Sequence, residues 1–283
     1  MIPDKPMISA QTAPSGQTAR STSKVTENAF SLWGVYSVWR RHAKVYQRMW
    51  LANCLLPLTE PIVYLTAFGF GLTPLIGDVT YLGNTVPYPK FIAPAMIAIG
   101  LLFQSFFEGA YGTFIRLEYQ KTWQGLLTAP LSFAEVFMGD WLWAATKGMI
   151  VGGLTAIVTV IWGLYSGWDL LNSLPLMILG SLLFGAMGLL TAACVRQVEQ
   201  VNIPIFLLIV PMFTISGTYF PRDTLPKPLN AIATAFPLAS LIDLLRWPLG
   251  LPTYWQWQLL WLVVVTLTFA SLAARLIYPK LIR

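Results

Sequence analysis

The sequence predicts an all-α integral membrane protein with six transmembrane helices, an N-terminal amphipathic helix on the membrane surface and a re-entrant helical hairpin before the last span. Three observations predict it. The 283 residues are 56% hydrophobic and 11% charged, whereas a soluble domain needs roughly a quarter of its residues charged. Six apolar runs approach or exceed the roughly 20 residues that a helix needs to cross hydrocarbon. The apolar stretch 216–246 is cut by Pro221, Pro226, Pro228 and Pro237 into pieces too short to cross.

Residues 1–27, rich in Ser, Thr, Gln and Pro with no apolar period, read as a disordered cytoplasmic tail. No early apolar run marks a cleaved signal peptide. Residues 28–283 read as a single transmembrane domain. It begins with an amphipathic helix over 28–50, on which Leu32, Val35, Tyr36, Trp39, Ala43, Tyr46 and Trp50 share a face, with Arg41, Lys44 and Arg48 opposite and Arg40 at the margin. Such a helix lies flat, its aromatics in the interface and its cations at anionic headgroups; packing on a partner as a cytosolic helix is the alternative.

The apolar runs follow at Leu51–Ile76, Phe91–Ile115, Ala134–Tyr165, Leu174–Val195, Val201–Tyr219 and Trp257–Tyr278. Between the second and third, 116–131 has helix-forming composition and is stopped by Pro130. Ser132 and Glu135 then form a capping box that starts the third span, which makes Glu135 structural. The hairpin, 220–246, comprises two short helical patterns hinged at Phe236-Pro237.

Lys and Arg near span ends stay on the cytoplasmic side. With the N-terminus inside, thirteen of the 18 basic residues fall on inner segments, four (Lys90, Arg222, Lys227, Arg246) on outer ones, and Lys147 within a span. Both termini are therefore expected in the cytoplasm, and the hairpin is expected to enter from outside. The net charge of +6 is mostly this asymmetry and gives no argument for a nucleic-acid partner. Cys54 and Cys194, near cytoplasmic span ends, are expected as buried, unpaired thiols.

Catalytic residue types are scarce. The only histidine, His42, sits beside Arg41 on the amphipathic helix and reads as a surface residue at headgroup level. There is no Gly-x-Ser-x-Gly elbow, no His-Glu-x-x-His, no Cys/His cluster for zinc and no Walker loop for ATP. Charges within spans are costly, so Glu60, Glu108, Asp140 and Lys147 each need a reason. Glu60 lies where Pro57 and Pro61 interrupt the helix ladder. Glu108 stands beside Gly109 and Gly112, which permit close helix approach. Asp140 and Lys147, seven residues apart, are too distant to pair and should each meet another helix or water. Pairing across helices is one reading of these groups; a substrate path or proton relay is the other. Trp50, Trp141, Trp143, Trp162, Trp168, Trp255 and Trp257 fall at expected interfaces and read as aromatic belts rather than sugar-stacking platforms.

Three groups of residues carry a family resemblance: Trp143-Ala144-Ala145-Thr146-Lys147 in the third span; Ser216-Gly217 with Phe220-Pro221 and Leu225-Pro226; and Phe236-Pro237-Leu238 with Ile242-Asp243-Leu244 and Arg246. Over about residues 28–283 the chain resembles the type-2 ABC exporter permeases, and within them the nodulation-factor (lipo-oligosaccharide) export branch. The resemblance implies a permease without catalysis or cofactor of its own, working as a homodimer or as a heterodimer with a related permease. ATP and Mg would be held by a separate pair of ATPase subunits, in a bacterial inner membrane. It also implies that 116–131 is a coupling helix, on which Glu118, Lys121, Thr122, Trp123, Leu126 and Leu127 dock in the ATPase, Trp123 and the leucines being the desolvated anchors. Phe220, Pro221, Phe236 and Pro237 would close an outer gate, with Asp243 and Arg246, one turn apart, paired to each other. The expected cargo is an amphipathic glycan, lipo-oligosaccharide, lipid-linked polysaccharide or drug-like molecule. The rival reading is an ion-coupled secondary transporter or channel relaying charge through Glu60, Glu108 and Lys147.

Overall fold

The computed structural model describes residues 30–282; the tail expected at 1–27 lies outside the described residues. Helix α1 runs Leu32–Gln47 and is capped by the Ser31 hydroxyl. Among the described residues six helices are long and apolar enough to cross a membrane: α2 (Trp50–Ile76), α3 (Tyr88–Tyr119), α5 (Phe133–Ile161), α6 (Gly167–Cys194), α7 (Val198–Ile215) and α10, Trp255–Ile282. A six-residue helix, α4 (Thr122–Leu127), lies between α3 and α5. Two further short helices, α8 (Lys227–Ala235) and α9 (Pro237–Leu245), meet at 83°. Pro237 at the first turn of α9 supplies a helix start with no N–H to lose, while Phe236 before it is held extended, so the chain must bend there. The expected break at Phe236-Pro237 is thus present, flanked by two helices of nine residues each.

The connection between the first two spans contains an antiparallel hairpin. β1 (Asp78–Tyr81) pairs with β2 (Asn84–Pro87) in the register Val79 to Val86 and Tyr81 to Asn84. Its two-residue turn places Leu82 at φ 49° and Gly83 at φ 80°, the doubly left-handed pattern that tight hairpins require.

The core is built on α3 and α6. In α3, 78% of the most apolar window is buried and in α6 72%, against 17% in each of α2 and α7. Two glycines bring α3 and α6 to backbone contact. A Cβ on Gly109 would stand 2.6 Å from the Gly185 carbonyl oxygen, and one on Gly188 would stand 2.5 Å from the Phe106 oxygen and 2.8 Å from the Ala110 nitrogen. Without a large hydrophobic gain between helices in lipid, such close packing is a main source of association. Gly112, expected to do the same, has another use described below.

Helix α1 docks on α5 by a stripe rotated from the amphipathic face, which it shares at Val35 and, half-buried, at Trp39, Ala43 and Tyr46. Gly34, Val35, Val38 and His42 are buried, while Leu32, Trp33 and Tyr36 are exposed. Small residues set this rotation: a Cβ on Gly139 of α5 would lie 2.6 Å from Val38 Cβ. Glu135 completes its capping box with Ser132 and also accepts from the Ser31 backbone N–H at 2.8 Å. The cap of one helix therefore anchors the start of another.

Candidate functional site

A chain of ionised groups is buried where α1, α3 and α5 meet. Asp140 of α5 is fully buried; its Oδ2 accepts from the Thr113 hydroxyl at 2.7 Å, and its Oδ1 lies 2.9 Å from Arg116 Nε and 3.1 Å from His42 Nε2. Arg116 also donates through Nη1 to Glu108 Oε1 at 2.6 Å. Glu108 accepts in addition from Trp143 Nε1 at 3.0 Å and, through Oε2, from Lys147 Nζ at 2.9 Å. Leaving His42 aside, two carboxylates face one guanidinium and one ammonium, so the cluster is balanced, and each carboxylate oxygen has a polar partner within 3.1 Å. A charge at membrane depth requires such pairing.

Local structure prepares this cluster. Helix α3 passes through π-helical turns at Glu108–Gly112 and Ile115–Tyr119, a distortion of the ladder that concentrates at functional sites. Gly112 leaves room for the ion pair rather than for a neighbouring helix: a Cβ there would lie 2.7 Å from Glu108 Oε1 and 3.1 Å from Arg116 Nη1. Asp140 and Lys147 thus each meet another helix, as seven-residue spacing demands. His42 overturns the surface reading, because its rotation into the α1–α5 contact hands it to Asp140. Trp141 and Trp143 are likewise not belt residues: they are buried, with indole N–H groups donating to Leu182 O and to Glu108. Trp162, Trp168 and Trp257 are exposed as a belt requires.

Next to this cluster, α3 continues to Tyr119, so Arg116 belongs to the span and not to the following segment. The helix expected over 116–131 is reduced to α4, because Lys121 adopts a left-handed conformation at φ 51° and breaks the ladder. Trp123 is fully buried against Phe133 and Phe137 of α5, at ring-centroid distances of 6.2 and 6.4 Å. It therefore anchors α4 to its own chain, which removes it as a docking anchor. Thr122, Leu126 and Leu127 are half-buried. Outward-facing positions there are Tyr119, at 65% exposure, and Lys121; Glu118 sits between Lys121 Nζ at 3.5 Å and Lys280 Nζ at 3.9 Å.

A second buried cluster lies at the other end of α3. Arg246 does not pair with Asp243 as one-turn spacing suggests. It donates through Nε to Phe91 O at 3.0 Å and through Nη2 to Gly217 O at 2.8 Å, with its guanidinium 3.7 Å from the Phe91 ring centroid. Asp243 is taken by Arg222 and by Gln258 Nε2, the latter at 2.9 Å. The physical reason is direction: on α9, Asp243 faces the Arg222 turn and α10, while Arg246, past the helix end, reaches back under Gly217. Gly217 at φ 82° leaves space for Arg222, whose Cγ would lie 2.8 Å from an added Cβ. Tyr81 of β1 stacks 5.5 Å from the Arg246 guanidinium, and burial, with Asp243 nearby, pushes its phenol up to about 12. Of the expected gate residues, Pro237 is buried and Phe220, Pro221 and Phe236 are half-buried; among the described residues Phe220 and Phe236 share no aromatic contact.

Glu60 stands apart, exposed on α2, with no ion pair among the described residues. Both cysteines are free, but Cys194 is exposed and Cys54 half-buried, contrary to the buried thiols expected. The reason is that both sit at span ends, outside the α3–α6 core. Among the described residues no group of three or more His, Cys, Asp or Glu side chains is placed to hold a metal. Arg222, Gln258, Tyr81 and Arg116 were not singled out as site residues from sequence, and His42 was read as a surface residue; the available signal was that Asp140 and Glu108, charged and within spans, each needed a partner on another helix.

Among the described residues, six helices able to cross a membrane, a helix packed on the third of them, a short helix on a left-handed break and a bent helical pair before the last span describe a multi-pass membrane protein. The chain belongs to the ABC-2 type transporter family, which matches residues 34–249. It is 35% identical over 211 residues to nodulation protein J of Rhizobium leguminosarum bv. viciae, covering 74% of this chain and 80% of that protein. Nodulation protein J of Rhizobium meliloti strain 1021 is 32% identical over 215 residues, covering 76% and 80%. The inner membrane transport permease YadH of Escherichia coli K12 is 19% identical over 211 residues, covering 75% and 80%. Membership in this family implies partnership with an ABC ATPase.

Proposed function

We propose that the chain is the membrane subunit of an ATP-driven exporter that moves an amphipathic glycan, lipo-oligosaccharide, lipid-linked polysaccharide or drug-like molecule out of the cytoplasm. Two permeases, identical or related, pair with two ATPase subunits that hold ATP and Mg. Both termini face the cytoplasm of a bacterial cell with the chain in its inner membrane, which puts α4 at the ATPase and the α8–α9 pair at the exit. The free faces of α2 and α7, the least buried spans, are available to the second permease and the path between them.

One observation carries the coupling assignment: α4 is short, rigidly anchored by Trp123, and continuous through a single left-handed residue with the span that holds the Glu108–Arg116–Asp140 cluster. A push on α4 is thereby delivered to the core instead of being lost in a loop. Tyr119, Lys121 and Glu118 replace Trp123 as the outward contacts. The test uses the permease reconstituted with its ATPase subunits: Tyr119→Ala with Lys121→Glu should lower permease-dependent ATPase stimulation while insertion and stability persist. Unchanged stimulation refutes the coupling role. The relay reading is less well supported, since Glu108 and Lys147 neutralise each other and Glu60 lies outside the cluster.

A further inference from the structure

Beside the ion cluster, α1 and the adjoining ends of α2, α3 and α5 enclose a cavity of about 330 Å³ whose walls include Arg41, Tyr46, Arg116, Trp143 and Lys147, at the small end of ligand-site volumes. Its lining carries three cations, Arg41, Arg116 and Lys147, against one carboxylate. The carboxylate that reaches it, Glu108, has both oxygens engaged by Arg116, Trp143 and Lys147. The donors are in excess: among the described residues the only hydrogen bond from Lys147 Nζ goes to Glu108, leaving two N–H groups free, and Arg41 is exposed with no ion pair. An ammonium at 19% side-chain exposure with unused donors lacks the hydration a surface lysine enjoys.

The rim supplies the second half of the argument. Val45 and Met49 border the cavity at 61% and 67% exposure, and beyond them Leu51, Leu55 and Leu56 continue an uncovered apolar face along α2. A second cavity of about 400 Å³, sharing Glu108, Ile115 and Lys147, extends beside Leu56 and Pro57. Cations in a pocket that opens onto an apolar face match a molecule with a phosphate at one end and acyl chains at the other.

We infer that this cavity binds the phosphate headgroup of an anionic membrane phospholipid, held by Arg41 and Lys147, with its acyl chains along α2. The site is a lipid site of the permease and is independent of what the exporter carries. Bound there, the lipid clamps α1 to the third span, since Arg41 is on α1 and Lys147 on α5.

The test is native mass spectrometry of the full-length permease in detergent with equimolar phosphatidylglycerol and phosphatidylcholine of the same acyl chains. Phosphatidylglycerol adducts should predominate. Arg41→Gln should weaken their retention about five-fold, the equivalent of about 1 kcal/mol for one cation at a lipid surface, and Arg41→Lys should restore most of it. Arg48→Gln removes the same charge from a residue just past the end of α1 that does not line the cavity, and should leave retention unchanged. Equal retention of the two lipids, or equal loss in the Arg41 and Arg48 variants, overturns the inference. Full displacement of the lipid by millimolar inorganic phosphate also overturns it, assigning the cavity to a soluble anion. Neither ATPase stimulation nor export enters this measurement, so its failure leaves the transport reading untouched.

Discussion

Replacing Arg116 with Met gives the sharpest test of the buried cluster. Among the described residues Arg116 alone touches both carboxylates, at 2.6 Å from Glu108 and 2.9 Å from Asp140. Removing it takes the cluster from two positive and two negative charges to one positive and two negative, with Asp140 left to Thr113 and His42. Breaking a buried ion pair from one side costs about 3–5 kcal/mol, because the stranded charge keeps its desolvation penalty. Lys147 still neutralises Glu108, so the loss should come mainly from Asp140. Arg116→Met should therefore lower stability by about 3–5 kcal/mol, and Arg116→Met with Asp140→Asn should recover a large part of it. Denaturant titration in mixed micelles, followed by tryptophan fluorescence, measures both variants and the coupling between them. A single variant that loses less than about 1 kcal/mol, or a double variant whose loss is the plain sum, refutes the account of Arg116 as the bridge.

Other perturbations separate the remaining contacts. Gly188→Val drives side-chain carbon into the Phe106 and Gly109 backbone; it should cost about 1–3 kcal/mol or more and show as a lowered midpoint in thermal unfolding. Trp123→Ala empties a fully buried site and should cost about 3–5 kcal/mol, with new protease cleavage near α4 on limited proteolysis. Asp243→Ala strands Arg222 and frees Gln258 but leaves Arg246 bonded to Phe91 and Gly217, so it should destabilise less than Arg246→Ala in the same melt. A membrane-impermeant maleimide should modify Cys194, the exposed thiol, only from the cytoplasmic face of vesicles; labelling from the opposite face refutes the proposed orientation.

The features legible in the sequence are those decided within one or two turns of chain. Run length and hydropathy locate the spans, Ser132 with Glu135 announces a helix start, and the prolines around Phe236 announce a bend. Pairings are not local and were not legible. Asp140 meets a threonine 27 residues away, and Lys147 a glutamate 39 residues away; no spacing rule connects them. His42 was misjudged because a helix drawn by hydrophobicity leaves its polar imidazole outside, whereas close packing of Gly34 and Val38 on α5 turns it toward Asp140, with Trp39 and Tyr46 half-buried against Trp143. Trp123 was misjudged for a related reason: an aromatic in a short surface helix suits a partner's groove and its own chain's core equally well until the third span is in place.

The glycine contact between α3 and α6 divides the molecule kinematically. Where helices touch through side chains, rotamers can exchange and the helices can slide; where backbone meets backbone, at Gly109 against Gly185 and Gly188 against Phe106, sliding must carry peptide planes past one another. These two spans therefore behave as a stator. Displacement during a cycle falls to the lightly held elements, α2 and α7, each with proline and a π-helical stretch in its path, and they move against a frame that does not yield.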